Sequence, residues 1–273
     1  MPGKSEIIPV RTLFISDVHL GTRGCQAAAL LDFIRVYDAD TIYLVGDIID
    51  GWRLRASWHW PQAHNDVVQK ILRKVRKGTR LVYVPGNHDE FLREYAGSTF
   101  GGIEIVEEAI HVTADGRRML VLHGDKFDTI VRNMRWLALL GDGAYDLAIW
   151  LNRWIARVRR AFNLPYWSFS AWSKQKVKRA VNFISAFEHA VAMDARKHDV
   201  EIVLCGHIHR PAHQQLDGLL YLNTGDWVES NSAVVEHPDG RLELVFWTDA
   251  AEAVLARPAP RARKAVLEAD QAA

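Results

Sequence analysis

Residues 11–21 read RTLFISDVHLG, a short apolar run that ends in an Asp-x-His pair. Four later motifs also follow apolar runs, and they are GDIID at 46–50, GNHD at 86–89, HGD at 123–125 and GHIH at 206–209. Each apolar run has the length and composition of a buried β-strand. Ligand groups gather at strand ends in α/β folds, so we expect the five motifs to converge on one site.

The residue types in these motifs indicate metal binding. Imidazole and carboxylate groups together favour Zn, Mn, Fe or Ni over Ca or Mg. A single His on a strand is more often a packed core residue than a ligand. Packing does not explain why five strand ends all carry Asp, Asn or His, so the sequence predicts a metal site.

Length and composition are typical of one large domain. The chain has 273 residues, 49% of them hydrophobic, and a net charge of +1 at pH 7. A net charge so close to zero provides no basic field for nucleic acid binding. The two cysteines make no disulfide framework and fit a reducing cytosol. We find neither a signal-peptide core nor an apolar run long enough for a membrane span, and expect a cytoplasmic protein.

The order of the predicted elements indicates the fold class. Strands and helices alternate in the first part of the chain, including a helix over 62–77. From residue 103 the pattern changes to short strands, with a hairpin signal at Asp115-Gly116. We therefore predict an α/β protein built as a four-layer α/β/β/α sandwich, with a second sheet that starts within residues 103–122.

Residues 126–190 interrupt this pattern. Half of the ten tryptophans lie there, and the stretch 147–187 has eight Lys or Arg residues and no acidic residue. We predict a helical insertion into a domain that spans 1–250, followed by a loose tail over 251–273. Two interpretations stay open. The helices pack on the domain with solvated arginines outside, or they form a lid that also contacts lipid at a membrane surface.

A second aromatic stretch lies at 52–61, directly after the GDIID motif. It holds three tryptophans, Trp52, Trp58 and Trp60, in a predicted loop. The loop is either packed by its own aromatic side chains or forms a wall of the substrate pocket.

The set DxH…GDxxD…GNHD…HGD…GHxH, over residues 11–228, resembles the signature of the calcineurin-like metallophosphoesterase superfamily. The resemblance implies a centre of two divalent cations, with Mn suggested by family likeness and Fe or Zn also compatible with the donors. It implies that Asp47 bridges both cations. It also implies two separate ligand sets, which are Asp17, His19 and His209 for one cation and Asn87, His123 and His207 for the other.

The same resemblance implies that His88 is not a ligand but protonates or stabilises the leaving oxygen. Asp50 stands at the position of its orienting partner, and the alternative is that Asp50 only caps the following turn. Asp125 and Asp226 are either partners of the ligand histidines or turn residues.

Within the superfamily, the chain resembles the UDP-2,3-diacylglucosamine hydrolases of lipid A synthesis. The shared features are SDVHLG at 16–21, HGD, the helical insertion, GHIHRP at 206–211 and GDW at 225–227. Typical members of that family read GNRD where this chain reads GNHD, and they carry Glu where Asp50 stands. The likeness implies cleavage of a lipid-linked nucleotide sugar to UMP and a lipid phosphate.

The same family likeness guides our expectations for substrate binding. We expect the lid to bind the phosphate and acyl parts of the substrate through Lys174, Lys176, Lys178, Trp136, Trp150 and Trp154. It also implies a peripheral enzyme on the inner face of the cell membrane, without a nucleic acid partner. The sequence sets no expectation for the oligomeric state. Two other functions stay open: a soluble nucleotide phosphodiesterase or phosphatase, and a non-enzymatic scaffold on the same fold.

Overall fold

The computed structural model describes residues 7–129 and 169–247, and for residues 169–181 it describes the backbone alone. Within these ranges the strands are β1 (Ile8–Ile15), β2 (Tyr37–Val45), β3 (Arg80–Val84), β4 (Thr99–Phe100), β5 (Ile103–Ile105), β6 (Ala109–Val112), β7 (Arg118–Val121), β8 (Ile202–Cys205), β9 (Ala212–Leu216), β10 (Leu219–Asn223), β11 (Ser232–Glu236) and β12 (Leu242–Phe246). The α-helices are α1 (Ala27–Val36), α2 (Gly51–Ala56), α3 (Gln62–Arg76) and α4 (Phe169–Ala195). Short 3₁₀ helices lie at Glu90–Tyr95, Asp125–Phe127 and Arg196–His198.

The strands form two sheets. The first has seven strands in the order β12-β11-β1-β2-β3-β5-β4, and the second has five in the order β6-β7-β8-β10-β9. β1, β2, β3 and β5 run parallel to one another, as do β7, β8 and β10. Parallel strands end at the same edge of a sheet, so each sheet collects the loops that follow its central strands.

Three buried clusters of apolar side chains separate four layers. One packs α1 and α3 on the outer face of the first sheet, the second lies between the sheets, and the third packs α4 on the second sheet. The period-2 alternation of strands explains the division, because Leu13 of β1 belongs to the outer cluster and its neighbour Phe14 to the cluster between the sheets. The predicted four-layer α/β/β/α sandwich is confirmed.

The second sheet starts at β6, within the region 103–122 where we expected it. β5, at the beginning of that region, pairs in parallel with β3 and belongs to the first sheet. The hairpin predicted at Asp115-Gly116 joins β6 to β7 at the start of the second sheet. The sequence did not predict β9, an edge strand whose residues are mostly polar.

The first two strands are longer than their apolar runs. β1 begins at Ile8, and β2 begins at Tyr37, directly after the last residue of α1. The two strands pair with each other from Ile8 and Tyr37 onward. Pairing therefore lengthens each strand beyond the buried part that its apolar residues indicate. The stretch 52–61, predicted to be a loop, begins within the short helix α2.

None of the helices in the described part of the chain combines the length and apolar composition of a membrane span. The predicted tail over 251–273 and most of the predicted insertion lie outside the described residues.

Candidate metal centre

Six loops at the carboxyl ends of parallel strands surround the candidate site. β1, β2 and β3 lead into the Asp-x-His, GDIID and GNHD motifs, and β7, β8 and β10 lead into HGD, GHIH and GDW. Hydrogen bonds join the first two loops, from Asp17 N to the Gly46 carbonyl (3.0 Å) and from His19 N to the Asp47 carbonyl (2.9 Å). The fold thus brings together side chains as distant in sequence as His19 and His209.

The backbone is left-handed at five of the seven predicted ligands. This conformation is uncommon for residues other than glycine and costs of order 1–3 kcal/mol each. Such strain persists only where the surrounding structure enforces it, and it concentrates at functional sites. The positive φ angles are 49° at Asp17, 53° at His19, 53° at Asp47, 72° at His207 and 52° at His209.

The first predicted ligand set, Asp17, His19 and His209, is brought together. Nε2 of His209 lies 3.2 Å from Oδ1 of Asp17 and 3.2 Å from Nε2 of His19. Donor atoms that bind one cation at about 2.1 Å stand roughly 3 Å apart. All three side chains offer ligand atoms within 4.8 Å of one another, so the three residues could hold one metal ion.

The second set adjoins the first through Asp47. Asp47, His123 and His207 offer ligand atoms within 4.8 Å of one another. Oδ1 of Asp47 lies 3.5 Å from Nε2 of His123, and Oδ2 lies 3.9 Å from Nε2 of His19. The two carboxylate oxygens therefore face different sets, which is the arrangement that a bridging ligand requires.

Several buried polar atoms lack a hydrogen-bond partner among the described residues. They include Oδ1 of Asp17, Oδ1 of Asn87 and Nε2 of His123, which belong to predicted ligands. Leaving a buried polar atom unpaired costs about 1–3 kcal/mol. The two cations that the resemblance implies would satisfy these atoms, one at Asp17 and the other at Asn87 and His123, and the donor chemistry suits divalent transition metals. The residues present therefore fit a metal centre.

Carboxylate or carbonyl groups lie near the Nδ1 atoms of three histidines. Nδ1 of His123 lies 3.0 Å from the Val45 carbonyl, and Nδ1 of His19 lies 3.3 Å from Oδ2 of Asp50. A hydrogen bond at one ring nitrogen fixes the tautomer and leaves the other nitrogen free to bind metal. Nδ1 of His209 is 4.0 Å from Oδ2 of Asp226, a longer contact of the same kind.

Charge coupling in the metal-free chain is strongest between Asp47 and His123. Burial acts to lower the pKa of His123, but its pairing with Asp47 outweighs burial and raises the pKa to about 10. Burial acts to raise the pKa of Asp47, yet the same pairing holds that pKa well below its ordinary value. In the metal-free chain His123 and Asp47 are therefore both charged, and a cation bound there would replace the proton of His123.

His88, the predicted acid, adjoins the centre through Asp47. Its Nε2 is 3.9 Å from Oδ2 of Asp47, and its backbone N–H donates to Oδ1 of Asp47 (2.8 Å). Geometry alone would also let His88 share a cation with Asp47 and His19. The exposed fraction of the His88 side chain, 24%, lies between those of the predicted ligands His19 (8%) and His209 (38%), so exposure does not separate His88 from the ligands.

Asp50 lies beside both groups considered from the sequence, the backbone of the following turn and the ring of His88. Its Oδ1 accepts a hydrogen bond from Arg53 N (2.8 Å), so Asp50 caps α2. The same oxygen lies 3.0 Å from Nδ1 of His88. Burial acts to raise the pKa of Asp50, but its interactions with Arg53 N and His88 outweigh burial and lower the pKa. An ionised Asp50 therefore lies within ion-pair distance of the His88 ring, whose Nδ1 makes no hydrogen bond of regular geometry among the described residues.

Asp89 is a site residue that sequence reasoning missed. Its buried carboxylate accepts from Tyr83 Oη (2.5 Å), Gly86 N (2.6 Å) and Ile48 N (2.8 Å). Longer contacts join it to Asp47 N (3.3 Å) and Ile49 N (3.4 Å). Asp89 thus ties the loop of the bridging ligand to the GNHD loop. Its place directly after His88 was the available signal.

The remaining acidic residues near the site differ in their partners. Asp125, considered as a partner of a ligand histidine, instead pairs with Arg93 (2.6 Å). Asp226 mainly accepts from backbone N–H groups of residues 228–230, so its turn function is the dominant one. The carboxylate near His207 is Asp128, whose Oδ1 lies 2.8 Å from Nε2 of that residue. The sequence did not single out Asp128.

The structure tests little of the predicted substrate set. Trp136, Trp150 and Trp154 lie outside the described residues, and Lys174, Lys176 and Lys178 lie on α4 where only the backbone is described. In the aromatic stretch at 52–61, one tryptophan contacts the site and another packs within the stretch. The Trp52 ring packs on His88, with centroids 4.3 Å apart, whereas Trp58 packs on Trp60 at 6.2 Å.

The family comparison identifies the class of protein to which this fold and its cluster of Asp, Asn and His side chains belong. Residues 10–211, well over half of the chain, match the family described as calcineurin-like phosphoesterase. The chain belongs to this family and is a metal-dependent hydrolase. The predicted superfamily is confirmed.

Curated relatives show which members of this family the chain is similar to. The chain is 27% identical to a UDP-2,3-diacylglucosamine hydrolase of Aeromonas hydrophila over 85% of this chain and 97% of the relative. It is 28% identical to the protein of the same name from Pseudomonas paraeruginosa over 86% and 98%. Among solved structures, Yfce, a phosphoesterase from E. coli, is 14% identical over 86% of this chain and 98% of that chain, with a TM-score of 0.43.

Proposed function

We propose that this chain hydrolyses the pyrophosphate bond of UDP-2,3-diacylglucosamine, or of a similar lipid-linked nucleotide sugar, to UMP and a lipid phosphate. The observation that carries the proposal is Asp47, whose two carboxylate oxygens face two ligand sets beside the partly exposed His88. The substrate is suggested by the names of relatives that the chain matches over nearly their whole length.

The proposed ligand sets are those that the family resemblance implies, and the clusters of Asp17, His19 and His209 and of Asp47, His123 and His207 support them. One cation would be held by Asp17, His19 and His209, the other by Asn87, His123 and His207, and Asp47 would be shared by both. When bound, two divalent cations supply an activated water nucleophile and offset the negative charge of the phosphoryl oxygens. Manganese is the metal that family likeness suggests, and iron or zinc also suits the donors.

His88 is the proposed general acid. In the reaction, the oxygen of a water molecule adds to one phosphorus and the bond from that phosphorus to the bridging oxygen breaks. The bridging oxygen leaves with the other half of the substrate, and a proton from Nε2 of His88 lowers the energy of that departure. Asp50, 3.0 Å from Nδ1 of His88, holds the ring with Nε2 toward the centre.

The predicted lid and membrane contact remain part of the proposal. Asp128, near the start of the predicted insertion, and Phe187, near its end, both contact His207. Both observations support an insertion beside the metal centre. There, Lys174, Lys176 and Lys178 would meet phosphate, and the insertion would reach acyl chains at the inner face of the cell membrane.

The experiment compares three substrates with the purified chain in manganese: UDP-2,3-diacylglucosamine in detergent micelles, the UDP-sugar without acyl chains, and bis(p-nitrophenyl) phosphate. Products are identified by mass spectrometry. We expect UMP and lipid phosphate, and a kcat/KM at least about 100-fold higher with acyl chains, because each buried methylene contributes about 0.8 kcal/mol. His88→Ala should lose activity, whereas His213→Ala, an exposed residue of β9, should not.

Equal kcat/KM values with and without acyl chains would contradict the lipid substrate. In that case, the soluble nucleotide phosphodiesterase would be the better assignment. The absence of hydrolysis for all three substrates, with both cations bound, would contradict the enzymatic mechanism.

A further inference from the structure

A cleft of about 640 Å³ opens from the metal centre. Its inner end is formed by His19, His88 and His209, and its outer part includes Arg23 and Arg53. This volume lies within the range of small-molecule sites, roughly 300–1,000 Å³. The cleft therefore has room for the part of a substrate next to the phosphorus under attack.

The charge of this cleft is positive. Neither Arg23 nor Arg53 has an acidic partner within 4.0 Å among the residues that the structure describes. The lining carboxylate, Asp50, already lies 3.0 Å from His88 and 3.3 Å from His19. Two guanidinium groups without a counterion favour an anionic ligand, and their planar donors suit phosphate oxygens.

Short hydrogen-bonded turns connect both arginines to the centre. Thr22, which precedes Arg23, donates from its N–H (3.1 Å) and its Oγ1 (2.9 Å) to the His19 carbonyl. Arg53 N donates to Oδ1 of Asp50, the carboxylate beside His88. The two turns place the arginine backbones at fixed positions relative to the predicted ligand and the predicted acid.

We propose that Arg23 and Arg53 form a subsite for the second phosphoryl group of a pyrophosphate substrate, the one next to the phosphorus under attack. The subsite makes the enzyme prefer a pyrophosphate over a substrate with a single phosphate. The identity of the natural substrate rests on the function proposed above, but the preference for a second phosphate does not.

The experiment measures inhibition of bis(p-nitrophenyl) phosphate hydrolysis by pyrophosphate and by orthophosphate. Manganese is kept in excess of both inhibitors and ionic strength at 0.15 M, so that long-range effects of charge are screened. The variants are Arg23→Met, Arg53→Met, the double variant, and the control Arg55→Met. Arg55 is exposed on the same helix α2 and does not line the cleft.

We expect wild-type enzyme to bind pyrophosphate more tightly than orthophosphate. Each single variant should raise the Ki for pyrophosphate about 5–10-fold, and the double variant about 30–100-fold, as expected for the loss of charge-assisted hydrogen bonds at an open site. Arg55→Met should keep the wild-type ratio of the two Ki values. Thermal unfolding of each variant checks that the fold is retained.

Two results would overturn the subsite. One is a wild-type enzyme that does not prefer pyrophosphate, and the other is a double variant with the same Ki ratio as Arg55→Met. Hydrolysis of the lipid-linked substrate together with an unchanged ratio refutes the subsite and leaves the proposed function intact. Loss of the ratio in an enzyme that does not cleave the lipid-linked substrate supports the subsite and refutes the proposed function.

Discussion

Asp89→Asn should show how strongly one buried carboxylate holds the metal loops together. Asp89 is fully buried and accepts hydrogen bonds from Tyr83 Oη (2.5 Å), Gly86 N (2.6 Å) and Ile48 N (2.8 Å). Burial raises the pKa of Asp89. Since the neighbouring backbone groups are all donors, an ionised carboxylate fits where the N–H₂ group of an amide does not.

The expected loss follows from these contacts. Asparagine keeps one carbonyl oxygen, but its amide N–H₂ group would face backbone N–H groups and cannot accept hydrogen bonds from them. At least two hydrogen bonds to a charged group are therefore lost. Such bonds contribute about 1.5–3 kcal/mol each. We therefore expect the free energy of unfolding to fall by about 3–5 kcal/mol, and hydrolysis to fall as well because the 46–50 loop that carries Asp47 loses its anchor.

Urea unfolding of the metal-free chain measures the stability, and bis(p-nitrophenyl) phosphate measures the activity. Asp32→Asn is the matched control, because Asp32 is an exposed residue whose pair with Arg35 should contribute at most about 1 kcal/mol. A loss below about 1 kcal/mol for Asp89→Asn would refute the reasoning. So would normal activity in a chain that is destabilised as expected.

Two further changes test the fold and the site. Burial acts to raise the pKa of Glu236, but hydrogen bonds led by that from His111 outweigh it and lower the pKa from 4.5 to about 2. Glu236 should thus contribute about 3 kcal/mol above pH 4.5, and this is lost as pH falls toward 2. Urea unfolding in the presence of a chelator should show that Glu236→Gln is less stable than the wild type at pH 7, and that the two free energies of unfolding converge in acid. A difference that does not change with pH would contradict this. Gly86→Ala should abolish metal binding, measured by elemental analysis, because a Cβ there would collide with Asp47 and His123. Gly116→Ala, strained but with open space around it, should bind metal normally, and full metal content in Gly86→Ala would show that the loop adapts.

The sequence predicted what depends on local pattern. Apolar runs before Asp17 and Asp47 indicated strands, and the polar residues after them indicated a site, because strand ends gather ligands in this class of fold. The hairpin at Asp115-Gly116 was predictable for the same kind of reason, since its turn chemistry is local.

Contacts between distant loops could not be predicted in this way. The carboxylate of Asp89 accepts hydrogen bonds from backbone N–H groups of a loop about forty residues earlier. Asp128, in the loop after β7, contacts His207, in the loop after β8. Trp52 packs on His88 because α2 and the GNHD loop meet, which the aromatic composition of 52–61 did not specify. Each contact depends on tertiary packing, which local sequence propensities do not determine.

The most direct test of the two-metal centre is the number of manganese ions bound per chain, measured by elemental analysis after removal of free metal. The wild-type chain should hold two. Asp47→Ala should hold fewer and lose hydrolysis, because the shared ligand is gone. His88→Ala should still hold two while its rate falls roughly 10²–10⁴-fold, the usual share of a general acid. A wild-type chain with a single ion, or a His88→Ala chain that has lost one, would contradict the assignment of ligands and acid.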